Sequence, residues 1–293
     1  MIKSVRFDAL AKGPHLVILG AVHGNEKCGT VAIEQLIQEL EEGSLVLLSG
    51  SLTCVPIANP RAFVDNRRFC DRNLNRALYV KENPQAYEDF IDPILCRILD
   101  QADVLIDLHS YASSGGPFCF LGNSSEQEVS LCRHLGVNDF VYGWSDAFGK
   151  AQADPRDSMG TVEYVRSKGG IGTTVECGHH LNTDASTIAY NVIRAGLGHL
   201  NLVKNTVSQQ PVQRFVQMHS VYFKDQAGLL ETSWRHYDFV QAGQVLATYE
   251  SGDVIRAPSD GFIILPKLDA PIGGEWFYFG VATDCPKPSN RSS

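Results

Sequence analysis

Two short apolar runs constrain this chain most: His15-Leu-Val-Ile-Leu-Gly20 and Ala102-Asp-Val-Leu-Ile-Asp-Leu-His109. Both read as buried strands, and buried strands need helices to cover them. The segments between supply those helices. From about Lys27 to Glu41, the residues Val31, Ile33, Leu36, Ile37 and Leu40 recur at helical spacing, with Gly43 marking the end. Tyr87 to Leu99 and Asp184 to about Lys204 read the same way, while Leu45–Leu48, Ser51–Ile57 and Thr173–Cys177 read as further strands. Strands alternating with helices predict an α/β domain with a largely parallel or mixed sheet. Residues 61–83 are polar, rich in Asn and Arg, and without period. They read as an irregular loop, and a loop that long in a compact domain is usually functional.

The character changes near residue 205. Thr206-Val-Ser-Gln-Gln-Pro211 resembles a linker, and short strand patterns broken by Gly, Pro and Asp follow, among them Gly243–Tyr249 and Ala257-Pro-Ser-Asp-Gly261. The pattern predicts a small all-β domain, giving the division 1–205 and 206–293, with Pro286–Ser293 as a disordered tail. The formal net charge is −8, from 25 Lys+Arg against 33 Asp+Glu, and no basic block stands out. A nucleic-acid binder needs a basic face, so that class is disfavoured. No apolar run approaches the roughly 20 residues that span a bilayer. The amino terminus lacks a signal-type apolar stretch, so a cytoplasmic location is expected. Eight scattered cysteines without a Cys-x-x-Cys pair fit free thiols in a reducing compartment, rather than a disulfide framework or a thiolate zinc site.

Chemistry concentrates at the strand ends. In Gly20-Ala-Val-His23-Gly-Asn-Glu26, an imidazole and a carboxylate three residues apart sit where a strand gives way to a helix. At such a turn they can converge on one metal ion, at the sheet edge where α/β proteins bind ligands. Asp107-Leu-His109 ends the second apolar run, and residues two apart on a strand share a face. Asp107 can therefore stand behind His109 and fix its tautomer while the other ring nitrogen binds metal. Two His and one Glu leave a coordination position open for water, as in catalytic zinc sites. Glu176 closes the strand Thr173–Cys177, where a carboxylate is costly unless it faces a polar cleft, and it is the candidate general base. His179 and His180 follow without further ligands and read as loop residues near the site. The arginines at 61, 67, 68, 72 and 76 predict an anionic substrate, since a guanidinium matches a carboxylate bidentately.

Gly-x-x-His23-Gly-Asn-Glu26, Asn59-Pro-Arg61-Ala, Leu74-Asn75-Arg76, Asp107-Leu-His109 and Val175-Glu176-x-Gly178, in that order, resemble the aspartoacylase and succinylglutamate desuccinylase family. That family is a branch of the zinc carboxypeptidase-like hydrolases. The resemblance implies a zinc carboxypeptidase-like mixed-sheet domain followed by a small all-β, barrel-like domain. It further implies that His23, Glu26 and His109 bind Zn2+ and that Glu176 activates water. Arg61 would stabilise the oxyanion, Asn75 and Arg76 would grip the α-carboxylate, and Arg166 would meet a second carboxylate on the substrate. The implied reaction is hydrolysis of the amide of an N-acyl amino acid of the acyl-aspartate or acyl-glutamate kind. A metallocarboxypeptidase acting on short peptides and a non-catalytic binding protein of the same fold are the alternatives. The implied partner is a small anionic substrate, with no nucleic acid and no membrane, and a homo-oligomer is compatible with the sequence. Three positions depart from the family pattern: Asn73 stands where an aspartate is expected and Val162 where a tyrosine is expected, and Tyr278 is the nearest match to a late tyrosine. The carboxyl-terminal segment resembles the biotinyl/lipoyl-type β fold, but its turn Glu250-Ser-Gly-Asp253 lacks the lysine of a carrier domain.

Overall fold

A computed structural model describes residues 1–122, 125–144, 147, 155–204 and 213–286. The expected linker at Thr206–Pro211 and the expected tail beyond Pro286 lie outside the described residues. The strands are β1 (Val5–Asp8), β2 (Ala11–Gly20), β3 (Ser49–Val55), β4 (Val104–Tyr111), β5 (Phe118–Phe120), β6 (Asp139–Tyr142) and β7 (Ile171–His179). After them come β8 (Arg214–Phe223), β9 (Gly228–Leu230), β10 (Asp238–Val240), β11 (Val245–Tyr249), β12 (Val254–Arg256), β13 (Gly261–Ile264) and β14 (Glu275–Thr283). The helices are α1 (Cys28–Glu41), α2 (Pro60–Val64), α3 (Tyr87–Leu99), α4 (Glu126–His134), α5 (Thr161–Ser167) and α6 (Ala185–His199).

The apolar runs form the centre of the sheet. β2 pairs in parallel with β3 on one side and β4 on the other, and β4 pairs in parallel with β7. Because side chains alternate along a strand, Leu16 and Ile18 of β2 pack with Ile33 and Leu36 of α1 and with Ile193 and Leu197 of α6. Val17 and Leu19 pack on the opposite face with Ile91 and Leu95 of α3 and with Val162 and Val165 of α5. An uninterrupted apolar run is thus what a strand covered by helices on both faces requires. Each of these side chains, buried, stabilises the fold by about 1.5–3 kcal/mol.

Among the described residues the sheet has eleven strands in the order β1-β3-β2-β4-β7-β5-β6-β8-β14-β13-β10, mixing parallel and antiparallel pairs. Rather than closing on themselves, β8, β14, β13 and β10 extend the main sheet, because β8 pairs in parallel with β6. β12, β11 and β9 form a separate three-stranded sheet. The expected strand Leu45–Leu48 is a loop. The N–H groups of Leu45 and Leu48 bond to the carbonyls of Glu39 and Leu202 instead of to a neighbouring strand, and Val46 and Leu48 are exposed. Residues 61–83 are irregular apart from the short helix α2. No helix among the described residues is long and apolar enough to cross a membrane.

Candidate active site

The carboxyl ends of β2, β4 and β7 open into a cavity of about 590 Å3. His23 follows β2 in a tight loop, turned by Ala21 at φ +47°. Glycine is required at position 24, since a Cβ there would lie 2.1 Å from the Ala62 carbonyl carbon of α2. Glu26 stands just before α1, and His109 is on β4, directly opposite Glu176 of β7 in the strand register. His23, Glu26 and His109 are all buried, and one donor atom of each lies within 4.8 Å of the others. The two Nδ1 atoms are 3.1 Å apart, and each is 2.9 Å from an oxygen of the Glu26 carboxylate.

The proton positions follow from the groups behind the rings. Asn73 Oδ1 accepts the backbone N–H of Asn75 at 2.9 Å, which identifies it as the amide oxygen. His23 Nε2, 2.9 Å from that oxygen, must therefore carry the proton, leaving a lone pair on Nδ1. His109 Nε2 lies 2.9 Å from Asp107 Oδ2, whose negative charge favours a proton on that nitrogen. Asp107 Oδ2 in turn accepts the Thr161 hydroxyl at 2.5 Å. Two nitrogen lone pairs and a carboxylate facing one another across 3 Å in a buried site repel unless a cation lies between them, so the donor set fits a divalent metal. The two histidines ionise differently. Burial, helped by Arg68, lowers His23 to about 4, which keeps it neutral. Burial also opposes charge on His109, but Asp107 and Glu26 outweigh it and raise the ring well above its ordinary value. The two carboxylates thus call for positive charge at this point, whether from a proton or from a metal.

Glu176 is buried at the cavity wall with Oε2 unpartnered. Burial, and then the neighbouring Glu26, push its carboxyl up to about 8. A cavity-facing carboxylate with a raised pKa and an unused oxygen is suited to moving a proton.

The arginine loop brings one correction. Arg61 is exposed on α2, with its guanidinium 5.6 Å from the Tyr87 ring centroid, and does not line the cavity. Asn59 caps this short helix, its side chain accepting the N–H of Ala62, and the resulting turn leaves Arg61 on the far side. Arg68, rather than Arg61, lines the cavity, and its Nη1 donates to Glu26 Oε1 at 3.0 Å. Sequence reading passed over Arg68 because it is one of five arginines in an aperiodic stretch. The loop beyond it is held by buried acids. Glu88 accepts the backbone N–H groups of Cys70, Asp71 and Arg72 at 2.7, 3.1 and 3.2 Å, and the Asn59 amide at 3.0 Å. Arg72 is itself paired with Asp89 and Asp92.

Asn75 and Arg76 both line the cavity. Asn75 Oδ1 accepts the N–H of Thr161 at the start of α5, and the Arg76 guanidinium lies 4.8 Å from the Trp144 ring centroid. Its Nη2 is 3.6 Å from Glu275 Oε1, and Lys267 reaches the other oxygen of that carboxylate at 2.7 Å. Burial opposes the Glu275 charge, but Lys267 and Arg76 hold the carboxyl down at about 2. Lys267, Glu275 and Tyr278 therefore bring the carboxyl-terminal strands into the cavity, as do Gln217 and Leu265. Lys267 and Glu275 were missed in the sequence, where no motif marks them. Arg166 also lines the cavity, but Glu128 grips it through two bonds of 2.9 and 2.8 Å, and Glu163 accepts a third at 3.2 Å. His180 reaches Ser110 at 2.8 Å and lines the cavity without joining the three-ligand cluster, and His179 does not line it.

The sequence profile of the succinylglutamate desuccinylase/aspartoacylase catalytic domain matches residues 12–192. A probable aspartoacylase of a Nostoc species is 29% identical over 137 residues, spanning 43% of this chain and 45% of that protein. The chain thus matches less than half the length of that relative. An N-alpha-acetyl-L-2,4-diaminobutyric acid deacetylase of Halomonas elongata is 25% identical over 276 residues, spanning 89% of this chain and 80% of that protein. The crystal structure of a succinylglutamate desuccinylase/aspartoacylase from Rhodobacter sphaeroides superposes with a TM-score of 0.78 at 17% identity, covering 97% of this chain and 90% of that one. The extent of the profile match carries the assignment: this chain belongs to the succinylglutamate desuccinylase/aspartoacylase family.

Proposed function

We propose that the protein is a zinc-dependent amidohydrolase that cleaves the amide of an N-acyl amino acid, releasing a carboxylate and the free amino acid. The observation that carries this reading is the unpartnered Glu176 carboxylate on the wall of the cavity that also holds the His23–Glu26–His109 donor set. A zinc ion held by these three residues supplies, when bound, a Lewis acid that brings the pKa of water toward about 7. Glu176 takes a proton from the attacking water and delivers it to the departing nitrogen, which must leave as an amine. Arg68 donates to the oxygen that gains negative charge as the carbonyl carbon becomes tetrahedral. Arg76 and Asn75 hold the α-carboxylate and set the scissile bond against Glu176. The carboxyl-terminal strands from β8 on shape access, through Gln217, Lys267, Glu275 and Tyr278.

The test is amine release by the zinc-loaded protein from a panel of N-acyl amino acids, with and without a chelator. Chelator-sensitive release is the expected result. Turnover of short peptides, with none of N-acyl amino acids, would move the protein to the carboxypeptidases. Silence on both with zinc bound would leave a binding protein.

A further inference from the structure

The far wall of the cavity makes the substrate class narrower. This inference rests on the deacylase reading and concerns the amino-acid side chain of the substrate. Thr174 and Glu176 share a face of β7, as residues two apart on a strand do, and Gly172 continues that face. Beyond Thr174 on that face Arg166 lines the cavity, and its Nη2 donates to the Gly172 carbonyl at 3.0 Å. Gly122 lets the guanidinium lie flat against the chain, since a Cβ there would fall 1.9 Å from Arg166 Cζ. The carboxylate clamp is adjacent, because Asn75 Oδ1 accepts the N–H of Thr161 at the head of the helix that carries Val162, Glu163 and Arg166. A side chain on the clamped amino acid therefore has this end of the cavity before it.

Arg166 is not available to a substrate carboxylate. Glu128, 2% exposed, engages it through both oxygens and also accepts the N–H of Gly122 at 2.6 Å. Glu163 takes the third edge of the guanidinium, and its other oxygen accepts the N–H of Gly160 at 3.1 Å. Drawing Arg166 toward a ligand would strand a buried carboxylate, and buried unpaired charge is strongly unfavourable. One guanidinium against two carboxylates leaves this corner with a surplus negative charge, which repels a second acid group. An ammonium finds each Glu163 oxygen already accepting one hydrogen bond, from Arg166 and from the Gly160 N–H, and the Glu128 carboxylate committed to Arg166 and the Gly122 N–H. Among the described residues, Phe120, Leu121, Tyr142, Trp144 and Val162 also line the cavity, beside the polar Thr174. The geometry points to an N-acyl amino acid with an uncharged, apolar side chain, packed against Phe120, Trp144 and Val162, in place of the acidic side chain that the family resemblance implies.

The experiment measures kcat/KM of the zinc-loaded protein on N-acetyl derivatives of leucine, methionine, phenylalanine, aspartate, glutamate and lysine. It is paired with calorimetric binding of free phenylalanine and free aspartate to the same preparation. The apolar derivatives are expected to exceed the acidic and basic ones by about tenfold or more, with phenylalanine bound more tightly than aspartate. Faster turnover of an acidic or a basic derivative overturns the inference. If no derivative is hydrolysed but phenylalanine still binds more tightly, the deacylase reading fails and the pocket assignment stands. Equal binding, or none, overturns the assignment itself. Glu163→Gln removes the surplus charge and is expected to raise the ratio of acidic to apolar turnover several-fold; an unchanged ratio counts against the charge argument.

Discussion

The cavity has two corners built by different means. The metal corner takes its geometry from backbone register: His23 follows β2, Asp107 and His109 share a face of β4, and Glu176 stands opposite His109 on β7. The clamp corner takes its geometry from side chains that bridge distant segments. Glu88 of α3 pins the turn at residues 70–72, and Glu275 of β14 reaches Arg76. A site set by strand pairing leaves its trace as short spacings in the sequence. A site set by ion pairs between remote segments leaves only charged residues whose partners are hidden.

Substitutions sharpen this contrast. The largest effect is expected from Glu176→Gln, which should lower kcat by about 100-fold to 10,000-fold while zinc content, read by elemental analysis, stays at the wild-type value. Retained turnover would remove Glu176 as the base. Arg68→Ala should lower kcat by about 100-fold or more, whereas Arg61→Ala should leave kcat/KM within about twofold. The reverse ranking would restore Arg61 to the site. Asn73→Ala takes away the acceptor behind His23 and should weaken zinc about 10-fold to 100-fold in a competition titration, with the fold intact by circular dichroism. Unaltered affinity would mean that His23 keeps its orientation without that bond.

In the clamp corner, Glu88→Ala leaves the N–H groups of Cys70, Asp71 and Arg72 without their acceptor, each worth about 1–3 kcal/mol when buried and unpaired. A lower Tm together with a raised KM is expected, and an unchanged KM would detach the pinned turn from substrate binding. The smallest effect concerns acid. Lys267 and Arg76 hold Glu275 at about 2, below its value in the unfolded chain. Between the two values the unfolded state binds more protons, so this carboxylate stabilises the fold above about pH 4.3 and loses that contribution as pH falls toward 2. Glu275→Gln should therefore flatten the stability profile between about pH 5 and pH 2 in urea titrations. An equally steep profile would assign the acid sensitivity to other groups.

The same contrast explains what could be read from the sequence. The central strands and helices were legible because their burial imposes a period, and Tyr87–Leu99 is a helix over the residues its pattern predicts. The cluster of His23, Glu26 and His109 was legible because each sits at the end of such an element. Arg68 could not be separated from Arg61, since nothing in an aperiodic loop distinguishes one guanidinium from another before α2 turns the chain. The Arg166 partners were equally hidden: Glu128 lies 38 residues away on α4, a helix that the sequence reading does not predict. The continuation of the main sheet through β8 and β14 follows from the pairing of β8 with β6, a long-range choice that local periodicity does not encode.

The close approach at Gly24 has a consequence for redesign. Gly24 donates its N–H to the Arg68 carbonyl, and Lys27 donates to the Phe63 carbonyl, so the ligand loop and the arginine loop move as one body. A change in either would disturb the other, and the reacting groups offer little independent room for adjustment. At the other wall Phe120 stands opposite Thr174 on the strand that carries Glu176, so it is the side chains of Phe120 and Trp144, rather than the backbone, that can be exchanged. New specificities on this scaffold are therefore best sought there, with the reaction chemistry left as an unaltered cartridge.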